Sequence, residues 1–252
     1  MIAAAQKFVC VRLATYESAS EAKVMTNLFV GRSGQLENTT FGILSPDGKK
    51  ELIPAGRGPK QMLGRRAGPR ATTKLVSTLQ EIGERYAKKA KSQTALKQLP
   101  VVANVRLALN VAACDGLPLV IAFAKDAKSL SKITAALTPL AWKLEFAGRC
   151  NYVVTTELKD LAKVAGRKLT SGVLVVQPDA FGETAKVLEE IAAGVAPKQL
   201  AKRLDSGLSA AKMPAKEHRE HVRSGRRAGK TWESEIPVTD PGAVRAGGRG
   251  GR

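Results

Sequence analysis

Residues 116–126, GLPLVIAFAKD, run apolar without alternation between a Gly-Leu-Pro entry and a Lys-Asp exit. A strand with one wet face alternates apolar and polar side chains. An unbroken run of this kind instead suits a central strand covered on both faces. The segment that follows, about 127–146, repeats Leu130, Ile133, Leu137 and Trp142 at helical spacing and supplies one cover.

The rest of the chain reads in the same terms. NYVVTT (151–156) is a strand, ELKDLAKVAG a short helix ending at Gly166, and GVLVVQPD (172–179) another strand. ETAKVLEEIAAG scores as helix by propensity and also accommodates a strand at 185–188. APKQLAKRLDSGL is a helix with Pro197 in its first turn. Toward the N-terminus, FVCVRL (8–13) reads as a buried strand. TYESASEAKVMTNLF reads as a helix with Thr15 or Ser18 as N-cap, Glu21 standing where a capping box needs it. TTFGILSPDGKKELI is a hairpin turning at Pro46-Asp47-Gly48. Residues 55–70 look like a loop, and 71–98 a helix with Leu75, Leu79, Ile82 and Tyr86 on one face.

With aromatics at 4%, the core must be built from Val, Leu, Ile and Ala. The 252 residues allow one large core or two modest ones. The organisation expected is a partial unit at 1–65, a basic helical linker at 66–104, a domain at 105–210 and a disordered Gly/Arg-rich tail at 211–252. Cys10, Cys114 and Cys150 are scattered and form no CxxC, which argues against a disulfide framework or zinc site and for buried thiols. No signal peptide and no membrane-length apolar window are read, so the expectation is a cytoplasmic protein. No cofactor or metal is implied.

Charge is the other strong signal. Lys and Arg outnumber Asp and Glu by 41 to 22, a net +19. Such a surplus favours polyanions. Residues 57–97 hold eleven Lys/Arg against two Glu, and the chain ends in GGRGGR, similar to RGG-type RNA-binding segments. The candidate phosphate contacts are Arg57, Lys60, Arg65, Arg66, Arg70, Arg226, Arg227, Lys230, Arg245, Arg249 and Arg252. HREH at 218–221 lacks zincin spacing and reads as a solvated charged helix. AGKT at 228–231 lacks the upstream glycine of a phosphate loop.

Two stretches echo one another. TTFGILSPDG leading to AGRGPKQM matches LTSGVLVVQPDAFG leading to AAGVAPKQL. FVCVRLATYES and CNYVVTTELKD match as strands entering helices. The second half, β-α-β-α-β-β-α, resembles the thioredoxin fold. GLPLVIAFAKD stands for the strand feeding the active-site helix, NYVVTTELKDLAKVAG for the next strand and helix, GVLVVQPDAFGETAKVL for the hairpin and APKQLAKRLDSGL for the last helix. The first half resembles the same fold entered late. The fold class expected is therefore α/β, a thioredoxin-like mixed sheet flanked by helices, in two related units.

The resemblance implies a CxxC where this chain has Lys125-Asp126-Ala127-Lys128. It also implies a proline near Thr39-Thr40 and near Thr170-Ser171-Gly172, where there is none. Dithiol exchange needs two neighbouring thiols. The leading expectation is a redox-inactive thioredoxin-like binding or scaffold protein with an unidentified protein partner. One alternative is a nucleic-acid-associated protein that binds phosphate backbone through 57–97 and the tail. Another is an oxidoreductase whose active-site strand, dithiol and export signal lie upstream of Met1.

Overall fold

The computed structural model describes residues 2–5, 7–11, 13, 15, 18–30, 40–87, 98–213 and 216–231. They fall into two compact units, one within residues 1–91 and one spanning 92–230. The protein is a mixed α/β chain, with one six-stranded and one two-stranded sheet among the described residues.

The first unit contains α1 (Ile2–Ala5), α2 (Ala19–Leu28), β1 (Phe41–Leu44), β2 (Glu51–Gly56), α3 (Pro59–Met62), a 3-10 segment over Arg65–Arg70 and α4 (Ala71–Ala87). Ser18 caps α2 as expected, its hydroxyl accepting from the Glu21 amide. The Pro-Asp-Gly turn joins β1 to β2, with Gly48 at φ +71° supplying the left-handed residue. Ala4, Met62, Leu75 and Leu79 form the core, with Phe8, Ile43, Ile53, Leu63 and Val76 against it. The helix expected as a linker thus supplies this core.

Two expectations fail here. FVCVRL is no strand over its described residues 8–11 and 13. Val9 and Val11 are 55% and 72% exposed. β-Branched residues favour a strand only where a neighbouring strand offers pairing, and among the described residues the β1-β2 hairpin pairs with itself alone. The 55–70 stretch is not loop throughout, since Pro59 sits in the first turn of α3, where its missing N–H costs nothing. Residues 88–97 of the expected long helix lie outside the described set.

The second unit runs β3 (Val101–Val102), α5 (Val105–Asp115), β4 (Leu119–Phe123), α6 (Ala127–Ala141), β5 (Asn151–Thr155), β6 (Val164–Ala165), β7 (Gly172–Pro178), β8 (Ala185–Ala192), α7 (Pro197–Ala210) and α8 (His218–Arg227). The sheet order is β3-β5-β4-β7-β8-β6. β3, β5 and β4 are parallel, β7 is antiparallel to both β4 and β8, and β6 is parallel to β8.

Every residue of β4 is buried, as its unbroken apolar run requires. Its side chains alternate between two cores. Leu119, Ile121 and Phe123 meet Val105, Ala108, Leu109 and Ala112 of α5. Val120 and Ala122 meet Ile133, Leu137 and Leu140 of α6, and Leu200, Leu204 and Leu208 of α7. Both exposed edges of the sheet, β3 and β6, are only two residues long, which limits the unpaired backbone they present.

Three more expectations change. ELKDLAKVAG forms one 3-10 turn at Leu158–Leu161 and then β6, so Gly166 (φ +90°) follows a strand and caps no helix. Local bonds compete with helix here: Thr155 Oγ1 donates to Asp160 and accepts from the Glu157 amide. The ambiguous 183–194 segment is strand over Ala185–Ala192, because β7 pairs with β8 from Gly172 to Pro178 and that ladder overrides its helical propensity. The tail expected to be disordered is helical at His218–Arg227, and His221 stacks on Phe181 with ring centroids 5.0 Å apart, so it is not merely solvated.

Candidate functional site

The C-terminal end of β4, where it hands over to α6, is the position at which the resemblance implies a dithiol. Here Asp126 caps α6, its carboxylate accepting from the Ser129 amide at 2.8 Å and the Ser129 hydroxyl at 2.7 Å. Those bonds hold the Asp126 carboxyl below its ordinary range. The Ser129 amide, one of the donors that the α6 N-terminus offers, is thereby taken by the chain's own carboxylate.

The unit's thiols lie at the other end of the sheet. β4 and β5 run parallel with Leu119 opposite Asn151, so Cys150, preceding Asn151, sits beside the start of β4. The five residues of β4 separate that end from the α6 N-terminus by roughly 16 Å at ~3.3 Å per residue. Cys114 is exposed near the C-terminal end of α5, while Cys150 is buried. Burial pushes the Cys150 thiol up to about 11, away from the thiolate form that nucleophilic attack requires.

Arg167 borders the β4 end. Its guanidinium carbon lies 6.0 Å from the Phe123 ring centroid, and Nη1 donates to the Leu169 carbonyl at 2.8 Å. Among the described residues, no group of His, Cys, Asp and Glu is arranged to hold a metal. No described helix is long and apolar enough to cross a membrane.

The basic candidates distribute over both units. Arg57, Lys60 and Arg70 are exposed in the first, and the Arg57 amide donates to Gln61 Oε1 at 2.9 Å. Arg65 and Arg66 lie in the 3-10 segment, with side chains outside the described set. Arg245, Arg249 and Arg252 are outside it altogether. In the second unit, Arg226 and Arg227 end α8, and Lys230 pairs with Glu183 while lying 5.9 Å from the Phe181 ring centroid.

α8 adds two arginines that the charge count alone passed over, Arg219 and Arg223. At 100° per residue, Arg226, Arg219, Arg223 and Arg227 fall in that order within a single arc of about 100°. The opposite side holds His221 and Gly225, which face Phe181. The legible signal was the i, i+4, i+7, i+8 recurrence of arginine from Arg219 onward, with Glu217 placed to cap the helix.

Comparison of the chain with protein-family models, with curated proteins and with solved structures returned no match.

Proposed function

We propose that residues 99–210 form a thioredoxin-like domain that serves as a binding or scaffold module for a protein partner and carries out no dithiol exchange. The strand order is the observation that carries this reading. β3-β5-β4-β7-β8, three parallel strands followed by an antiparallel pair, is the arrangement expected of a thioredoxin sheet, with β6 as an added edge. The helices fall on the matching faces, α5 on one side, α6 and α7 on the other. The shared hairpin-then-Pro-Lys-Gln helix of β1-β2-α3 and β7-β8-α7 supports a related, partial first unit.

The exclusion of dithiol exchange rests on the residues at the C-terminal end of β4. An aspartate cap takes the place of the dithiol, and both cysteines of the unit lie at the far end of the sheet. Fold alone assigns no activity, so on this reading the domain works through its surfaces. Insulin disulfide reduction by the purified full chain tests this, with dithiothreitol as electron source. The expected rate equals that of dithiothreitol alone. A protein-dependent rate abolished by replacing Cys114 or Cys150 with serine would overturn the reading.

A further inference from the structure

We propose that the outward face of α8 is a docking ridge for the phosphate backbone of a nucleic-acid duplex. The ridge is built before any partner arrives. Lys216 anchors the approach to the helix by donating to the Ala113 and Ala180 carbonyls at 2.6 and 2.7 Å, which ties it to the C-terminal end of α5 and to the turn after β7. His221 stacks on Phe181. Gly225 is buried against the same ring, so close that a Cβ there would lie 3.2 Å from a Phe181 carbon. Lys230 closes the far end on Glu183. The inner face is therefore committed to the protein, and Arg219, Arg223, Arg226 and Arg227 are left exposed to solvent.

Their charge is barely compensated. Glu220 is shared between Arg223 at 3.1 Å and Arg227 at 2.7 Å. Arg219 and Arg226 have no ion pair among the described residues, so the ridge keeps an uncompensated positive charge on both sides of that shared carboxylate.

The chemistry of the ridge selects among polyanions. Guanidinium groups match phosphate oxygens in paired hydrogen bonds, which lysine cannot do. An in-plane membrane helix must bury an apolar face in lipid, and here the face opposite the arginines already packs on Phe181. Single strands are held by stacking bases on aromatic rings, and the arc of four arginines contains none. A rigid row of cations on a fixed helix fits the regular phosphates of a duplex.

Fluorescence anisotropy of a short labelled duplex with the full chain, across a salt series, tests this. Replacing Arg219, Arg223, Arg226 and Arg227 together by Gln should weaken binding at low salt at least tenfold. It should also make the slope of log K against log salt shallower by about three to four, near 0.9 for each lost phosphate contact. A control in which Lys128, Lys132, Lys198 and Lys202 become Gln removes the same charge from other exposed helix positions of the unit. It should keep the wild-type slope. Unchanged α8 helicity and thermal unfolding in both variants separate lost contacts from lost fold. Equal loss in ridge and control variants would overturn the proposal by reducing the effect to net charge. So would duplex binding too weak to detect at low salt alongside tight binding to anionic phospholipid vesicles. The insulin assay is independent of either outcome.

Discussion

Alkali should loosen the second unit by an amount that Cys150 sets. The thiol is 7% exposed, in the core formed by Phe146, Tyr152, Leu204 and their neighbours. Burial raises it from 9.0 to about 11, opposed only in part by Tyr152 and Arg149. A raised acid keeps its proton longer in the folded state. Its contribution is therefore complete below pH 9, where both states are protonated, and is lost as pH climbs toward 11 and the unfolded chain ionises first. At ~1.36 kcal/mol per unit, the gap is worth about 2.7 kcal/mol at most, with about 1.4 kcal/mol gone by pH 10. Cys150→Ala should cost about 1 kcal/mol at pH 7.5 through lost packing, yet decline less steeply in alkali. The two stabilities should converge near pH 10. Urea unfolding under reductant reads this through Trp142, whose Nε1 donates to the Gln98 carbonyl and whose ring packs on the same core. A Trp232→Phe background leaves Trp142 as the one indole. Parallel curves from pH 7.5 to 10.5 would refute the assignment of the alkaline loss to this thiol.

Thiol reactivity follows from the same geometry. A disulfide reagent should modify Cys10 and Cys114 quickly and Cys150 only after unfolding, as counted by intact mass. Gly182 has φ +68°, and a Cβ there would lie 2.5 Å from the Asn110 Cα, so Gly182→Ala should destabilise the unit by about 3 kcal/mol or more in urea. Gly194→Ala, at φ +83° with open space around it, should cost only about 1 kcal/mol. Asp179 is partly buried, which raises its carboxyl, but bonds from Thr184, Glu183 and Phe181 outweigh this and hold it below 3.8. A depressed carboxyl stabilises above its unfolded value and loses that effect as pH falls through the folded one. Asp179→Ala should therefore flatten acid unfolding below pH 4, read by circular dichroism.

Much of the candidate site was legible, though unevenly. That residues 125–128 hold no CxxC could be read from residue identity alone. That the unit's thiols stand at the opposite end of the sheet from the α6 N-terminus needed the register of β4 against β5. The charge of 216–230 was countable, six Lys/Arg against two Glu. Which of those cations face outward was not, because the answer depends on Phe181, about 40 residues away, occupying the other side of α8.

What the chain determines by itself is what short range decides. Ser18 and Asp126 as caps, Pro59 and Pro197 at helix starts, the Pro-Asp-Gly turn and the doubly buried β4 all follow from local sterics and hydrophobic run length. Tertiary structure decided the rest. FVCVRL has strand residues but, among the described residues, no strand beside it, whereas ETAKVLEEIAAG has helix residues and a full ladder with β7. The polar 216–230 segment has too few apolar side chains to fold alone, yet one ring, one glycine and two lysines fix it to a unit already formed. Pairing and docking energies belong to contacts between residues far apart in sequence, and no window of the chain contains both partners.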